Sequence, residues 1–454
     1  MNQKLLGTTA LLLAAATASA QWHQVTPTAS PTARGGAGAA FDPMSGNLIM
    51  FGGDTGAFPS PASNQTWSYN GTTWSQLTPA TSPTGKVGMQ LVHDQNRGVF
   101  VMFGSVNTSA FGGASVNQHW EFDGATWTQI FPTTTPGGLG NYGACFDLVR
   151  NKVVLYGGTA NSMFPIAESN TWEYDGTNWA QVTTAGSPGP LERPAMCFHA
   201  GIARTVMFGG IDPQIGGVDT TWLYDGTNWI AAPVSGPKPS ARTGARMVYD
   251  IHRNVCVLTG GADPMTGNPI VDSWEFDGAS WKQVQSVTTG RRDAMLVYMP
   301  NRQRVVQFGG IAGFSYLGDT WEYARPRVIG SGCIGSNGVP ALDAAIAPRL
   351  GQNYVQDLTN LNPAVSLGLI VLSLQEIPPV ALDFLGMTGC FAYVAPDVMV
   401  TLTGIGSTAS YSLAIPLAPS LIGTQLVSQG ISVDPTGNPA WLVASNGLGG
   451  MIGQ

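Results

Sequence analysis

Basic residues at a repeated position are the first candidates for a binding site. Arg34, Lys86, Arg242 and Arg291 each lie seven positions before an aromatic or histidine residue of a predicted first strand, and Arg193 lies two positions off this register. Equivalent positions in a cyclic repeat surround one channel, so they predict a ring of positive charge in a chain of formal net charge −7. An anionic or polyhydroxylated ligand would suit such a ring.

A structural role is the alternative for these cations. Ion pairs inside each repeat would neutralise the charge of these cations, so that no unpaired positive charge would face a ligand. The acids with the matching period lie on predicted third strands: Glu121, Glu173, Glu275 and Glu322.

Aromatic residues form the second candidate set. They lie in loops of variable length on the same predicted face as the cations, and sugar rings stack on such side chains. The set is Phe58, Phe111, Phe164, Phe314 and Tyr316. The alternative is that each side chain covers the end of its own repeat.

Catalytic and metal chemistry find little support. The histidines occupy unrelated strand and turn positions, so each is expected to be structural rather than a ligand. They are His23, His93, His119, His199 and His252. No nucleophile–base pair and no cysteine–histidine spacing typical of zinc occurs, so the sequence predicts no catalytic residue, no metal and no cofactor.

The cysteines divide into two groups. Cys333 and Cys390 each follow a glycine and are predicted to form a disulfide, which persists outside the cytoplasm and would be worth about 4 kcal/mol for a loop of this length. Cys145, Cys197 and Cys256 lie in apolar strand segments and are expected to be small buried hydrophobic residues, with their redox state open.

Residues 1–20 have the layout of a secretory signal. Lys4 provides a positive start, an apolar core follows, and Ala18-Ser19-Ala20 resembles a cleavage site. We therefore expect an exported protein that begins at Gln21. Later apolar runs are too short to span a membrane, and without a basic run nucleic acid is not an expected partner.

Composition and periodicity indicate repeated short strands. With 59 Gly, 31 Pro and only 10% charged residues, the chain suits neither a helical bundle nor a disordered protein. A glycine that ends an apolar strand recurs six times, from Gly52 to Gly309, at a period of about 50 residues. Four strand signals per unit at that period are typical of a β-propeller blade.

Tryptophans define the third and fourth strands of each unit. The pattern Trp-x-aromatic-Asp-Gly-x-x-Trp, with Asn for Asp in the first unit, occurs five times, and the sixth unit stops after Trp321. The segment that begins at Trp22 matches the one that begins at Trp74, so the missing fourth strand is expected at the N-terminus. The prediction is six blades closed by the N-terminal strand.

These motifs resemble the kelch-repeat family over residues 21–325. The resemblance implies an all-β, six-bladed kelch-type β-propeller, a fold used by scaffolds and binding modules as well as a few enzymes. The pattern lacks the cysteine-linked His and Tyr cluster of the galactose oxidases. Bacterial N-acetylneuraminate epimerase, with six kelch blades, remains a comparison for an enzymatic role.

Residues 326–454 are predicted to form a small C-terminal β-sandwich. Pairs such as Gly332-Cys333, Gly389-Cys390 and Pro396-Asp397 resemble a module appended to many exported bacterial proteins. The resemblance implies surface attachment, sorting or matrix binding for this part of the chain.

The sequence therefore favours a secreted binding or adhesion protein whose variable face binds a carbohydrate, an envelope or matrix polymer, or another protein. A sugar mutarotase or epimerase is the enzymatic alternative. A third, purely structural hypothesis fills the channel mouth with ion pairs and aromatic side chains.

Overall fold

The structure is a computed structural model that describes residues 22–56, 62–105, 115–160, 166–284 and 289–453. The predicted signal sequence lies outside these residues. Strands dominate the described chain, and its helices are four short 3-10 turns at Ala200–Ile202, Pro300–Arg302, Asp383–Leu385 and Pro419–Leu421. The fold is all-β, as expected from the composition.

The first half of the repeat region forms three four-stranded antiparallel sheets. They are preceded by β1 (Trp22–Val25). Sheet one contains β2 (Gly38–Asp42), β3 (Asn47–Phe51), β4 (Thr66–Tyr69) and β5 (Trp74–Leu77). Sheet two contains β6 (Leu91–Asp94), β7 (Val99–Phe103), β8 (His119–Phe122) and β9 (Trp127–Ile130). Sheet three contains β10 (Gly143–Asp147), β11 (Lys152–Tyr156), β14 (Thr171–Tyr174) and β15 (Trp179–Val182), with a small hairpin of β12 (Thr159–Ala160) and β13 (Ile166–Ala167).

Three further sheets follow the same order. Sheet four contains β16 (Ala195–His199), β17 (Arg204–Phe208), β20 (Thr221–Tyr224) and β21 (Trp229–Ala231), with the hairpin β18 (Ile211–Asp212) and β19 (Gly216–Gly217). Sheet five contains β22 (Arg246–Asp250), β23 (Val255–Thr259), β24 (Ser273–Phe276) and β25 (Trp281–Val284). Sheet six contains β26 (Met295–Met299), β27 (Arg304–Phe308), β30 (Thr320–Tyr323) and, as its fourth strand, β1, with the hairpin β28 (Ile311–Ala312) and β29 (Ser315–Tyr316).

The pairing of β1 with β30 joins the two ends of the repeat region. Trp22 lies opposite Tyr323 and Val25 opposite Thr320 in an antiparallel register. The match between the segments at Trp22 and Trp74 predicted this strand. First strands of successive sheets also contact one another, and β26 contacts β2.

Each sheet docks on the one before it through a fourth-strand tryptophan. The indole packs on the aromatic residue that ends the third strand, at centroid distances of 4.9–5.2 Å. Its N–H then donates to the first residue of the third strand in the neighbouring sheet, over 2.8–3.2 Å. The six pairs are Trp22–Ser273, Trp74–Thr320, Trp127–Thr66, Trp179–His119, Trp229–Thr171 and Trp281–Thr221.

The C-terminal region has sheets of its own. A five-stranded sheet contains β31 (Arg327–Ile329), β34 (Leu367–Ser373), β37 (Val398–Thr403), β39 (Gln425–Val433) and β40 (Leu442–Met451). A three-stranded sheet contains β32 (Ala341–Asp343), β33 (Asn353–Thr359) and β38 (Ala409–Ala414), and β35 (Glu376–Ala381) pairs with β36 (Phe391–Val394). The five- and three-stranded sheets share one hydrophobic cluster that includes Leu358, Ile370 and Leu448.

Two features fix the C-terminal region. The sulfur atoms of Cys333 and Cys390 lie at disulfide distance with their Cα atoms 4.9 Å apart, as the predicted pairing requires. Arg304 of β27 donates to the carbonyl oxygens of Pro348 and Met451, at 3.2 and 2.9 Å, and thereby ties sheet six to this region.

Removing one indole donor tests its contribution to stability. Trp229→Phe deletes the donor to Thr171 and leaves a smaller ring in a buried site, so we expect the free energy of unfolding to fall by about 2 kcal/mol. Trp222→Phe in the same sheet is the matched control, because the Trp222 indole N–H has no hydrogen-bond partner. Chemical unfolding followed by circular dichroism measures both, and equal losses would contradict the role assigned to the hydrogen bond.

Candidate functional site

Arg242 and Arg291 are buried ion-pair residues. Each guanidinium donates two hydrogen bonds to one carboxylate, Arg242 to Asp272 at 2.5 and 3.1 Å and Arg291 to Asp319 at 2.6 and 2.9 Å. Each also donates to the carbonyl of the first glycine in its own sheet's glycine pair, such as Gly260. Both side chains are at most 1% exposed.

Arg34 and Lys86 are directed into the protein in the same way, but their partners are amides. Arg34 donates to Gln65 at 2.8 Å and to the carbonyl of Gly52, and Lys86 donates to Gln118 at 2.7 Å. In all four repeats the partner lies two residues before the third-strand tryptophan. The structural alternative is thus correct in kind, but its partners are not the third-strand glutamates, because the side chains turn toward the start of the third strand.

Those glutamates form a separate network with arginines of the turns that join the first and second strands. Arg150 donates to Asp147 at 2.7 Å and forms an ion pair with Glu173, and its guanidinium lies 5.1 Å from the ring centre of Tyr224 in the next sheet. Tyr224 donates to Glu173 at 2.8 Å. The same arrangement joins Arg97, Glu121 and Tyr174, and also Arg253, Glu275 and Tyr323.

A ring of backbone hydrogen bonds connects the six sheets just before their first strands. One residue of each sheet has a positive φ, between 52° and 69°. Its N–H donates to the carbonyl of the equivalent residue in the preceding sheet over 2.7–3.2 Å. The residues are Gly36, Gly88, Asn141, Arg193, Gly244 and Asp293. Gly36 donates to Asp293, which makes the chain of bonds cyclic. We call this set the rim.

The rim carries a cluster of charge on the side of sheets four to six. Asp293 accepts a 2.7 Å hydrogen bond from Arg292, and Arg193 lies 4.0 Å from its carboxylate. Arg246, the first residue of β22, donates to the carbonyl of Ala294 at 3.1 Å and is half-buried. Burial alone would raise the pKa of Asp293, but Arg193, Arg246 and Arg292 outweigh it and hold that pKa below its ordinary value. Three guanidinium groups thus act electrostatically on one carboxylate, and two of them, those of Arg193 and Arg292, lie within 4.0 Å of it.

Arg193 is the candidate cation that stays accessible. Its side chain is 34% exposed, and its buried Nε has no hydrogen-bond partner. Sequence reasoning identified Arg193 as off register, and the two-residue offset places it on the rim. Arg246 and Arg292 were missed, because neither lies at the repeated cation position.

Loop residues of the described chain include exposed apolar side chains at the connections between second and third strands, and three of these are more than three-quarters exposed. Ile215, Met265 and Phe314 expose 77%, 94% and about all of their surface. Among the predicted aromatics, Phe314 is therefore free of its own sheet, whereas Tyr316 donates to Asp54 at 2.8 Å. The other three, Phe58, Phe111 and Phe164, lie outside the described residues.

The histidines either pack on aromatic rings, as His93 and His199 do, or lie within reach of a polar partner. His119 accepts the indole bond of Trp179, and a ring nitrogen of His252 lies 2.7 Å from the hydroxyl oxygen of Tyr298. Among the described residues, no group of three or more His, Cys, Asp or Glu side chains is arranged to hold a metal ion. No helix in the described ranges is long and apolar enough to cross a bilayer.

Residues 4–210 match a family model described as the KLHDC2/KLHL20/DRC7 Kelch-repeats domain. The repeats in this stretch are similar to kelch repeats. Together with the antiparallel four-stranded sheets, the match supports a kelch-type propeller, a fold that suggests a protein-interaction role. No curated protein matches the sequence.

The network around Glu121 predicts a pH dependence of stability. Burial opposes ionisation, but His119 and Arg97 outweigh it and lower the pKa of Glu121 from 4.5 to about 2. A depressed pKa stabilises the folded state above pH 4.5, and this contribution disappears as the pH falls toward 2. We expect Glu121→Gln to cost about 1–2 kcal/mol at pH 7 and to match the wild type near pH 2.

Thermal unfolding of both proteins from pH 7 to pH 2 measures this difference. The wild-type melting temperature should fall more steeply than that of Glu121→Gln below pH 4.5. Parallel pH profiles would contradict the assigned ion pair.

Proposed function

We propose that the six sheets are the blades of a closed ring that spans residues 21–325. The pairing of β1 with β30, the contact between β26 and β2, the indole bonds and the cyclic rim bonds all support this arrangement. The ring explains why the buried cations are structural, because each one fixes the entry of a first strand beside its own third strand.

We propose that the rim face binds an anionic carbohydrate or another anionic polymer of a cell envelope or matrix. The observation that carries this proposal is the cluster of Arg193, Arg246 and Arg292 around the single carboxylate of Asp293. Arginine forms directional, charge-assisted hydrogen bonds to carboxylate and sulfate oxygens. The exposed side chains of Met265 and Phe314 supply apolar contact area in the loops.

The enzymatic alternative is less well supported. A sugar mutarotase or epimerase needs an acid–base group whose pKa lies near the working pH. The carboxyl group of Asp293 has a lowered pKa because of its three arginine neighbours, so it stays ionised and paired near neutral pH.

Binding titrations with a uronic-acid polymer and with a neutral glucan test the proposal. We expect the uronic-acid polymer to bind and the neutral glucan to bind far more weakly, with affinity that falls as salt rises. Arg193→Asn preserves the left-handed backbone that Asn141 adopts at the equivalent position, and it should weaken binding about tenfold.

Lys282→Ala is the matched control, since Lys282 is an exposed cation on the outer strand β25. It should leave the affinity unchanged. Equal binding of both polymers, or an affinity that Arg193→Asn and Arg292→Ala do not alter, would contradict a rim site.

We further propose that the protein is exported and that residues 326–454 form a β-sandwich for attachment or sorting. Support comes from the shared core of the two C-terminal sheets and from the Cys333–Cys390 pair, which suits an oxidising compartment. N-terminal sequencing of the mature protein should begin at Gln21. Retention of Met1 in secreted material would contradict the cleavage site.

A further inference from the structure

Cys197 and Cys256 face each other across the boundary between sheets four and five. Their Sγ atoms lie 3.0 Å apart, and both side chains are buried, at 6% and 0% exposure. Cys197 is on β16, the first strand of sheet four, and Cys256 is on β23, the second strand of sheet five. The two thiols, free in the structure, therefore contact each other across the boundary between two sheets.

The same two positions meet at every sheet boundary, which gives an internal comparison. Apolar pairs such as Val248–Val305 and Val297–Leu48 occupy the equivalent positions and share hydrophobic clusters. At the boundary of sheets three and four the pair is Cys145 and Thr205, 3.6 Å apart. Packing at these positions therefore does not require cysteine. Of the six boundaries, the one between sheets four and five has a cysteine at both positions.

We propose that Cys197 and Cys256 form a second disulfide that links sheets four and five covalently. The oxidant is a disulfide of the low-molecular-weight or enzyme-bound class. Each cysteine thiol gives up one proton and one electron, the Sγ–Sγ bond forms, and the oxidant's disulfide takes the two electrons and two protons and leaves as two thiols.

The bond forms while the chain folds. Thiol–disulfide exchange requires an accessible thiolate, and burial raises the pKa of the Cys197 thiol in the completed structure. The exchange of the first cysteine with the oxidant therefore precedes the docking of sheet five on sheet four, and the Sγ–Sγ bond forms as the two sheets meet. Once formed, the bond is shielded from reductants by the same burial.

Thiol counting on the full chain distinguishes the two states. Protein produced in an oxidising compartment is unfolded in guanidinium, alkylated without a reductant and weighed as intact protein. We expect one alkylated residue, Cys145, whereas three alkylated residues would overturn the proposal. A peptide map without reduction should contain a linked Cys197–Cys256 peptide, and a link from Cys145 to either partner would also overturn it.

Cysteine variants assign each counted thiol to a residue. Cys145→Ser should abolish alkylation altogether, and Cys197→Val should leave two alkylated residues, Cys145 and Cys256. The double variant with Val at both positions reproduces the Val248–Val305 pair of the next boundary, so it should fold. It should melt about 5 °C or more below the oxidised wild type, and equal melting temperatures would contradict a linking bond.

Discussion

The indole hydrogen bond between adjacent sheets is the interaction on which the repeat region depends. A four-stranded sheet has two faces to bury and cannot do so alone, so it must dock on its neighbours. Each fourth-strand tryptophan fills that interface and directs its N–H at a hydroxyl or imidazole of the preceding sheet. Because Trp22 is one of the six, the N-terminal strand is held both by its backbone pairing with β30 and by its bond to Ser273.

The arginine–glutamate–tyrosine network shows a second dependence between neighbours. Sheet three has Arg150 and Glu173, and the following sheet offers Tyr224, whose hydroxyl satisfies the carboxylate. Sheet four has Ile202 and Leu223 at the corresponding positions, and the following sheet offers Phe276. Removing one member alone would leave a buried charge or hydroxyl unpaired, which costs more than replacing the whole set with apolar residues.

Much of the fold follows from periodic residues, because glycine pairs, Asp-Gly turns and tryptophans each require one local geometry. The position of β1 could be predicted for the same reason, whereas the Cys333–Cys390 pair was predicted from its two Gly-Cys sequences. The repeated cations show what a sequence register cannot predict. A seven-residue register fixes where the backbone of Arg242 lies, but it does not fix the direction of its side chain, which turns to Asp272. In the sequence, the two-residue offset of Arg193 from the other cations was the feature that distinguished a rim residue from a buried one.

Backbone strain at the rim supports the binding role that we propose for it. Every rim position has a positive φ, which glycine adopts freely and a long side chain does not. Gly36, Gly88 and Gly244 accept this conformation at no steric cost, whereas Arg193 and Asp293 adopt it with φ of 52° and 54°. Glycine would relieve that strain and preserve the cyclic hydrogen bonds, since those use only backbone atoms. The backbone bonds of the rim therefore do not require an arginine at residue 193, which supports the proposal that its side chain serves in binding.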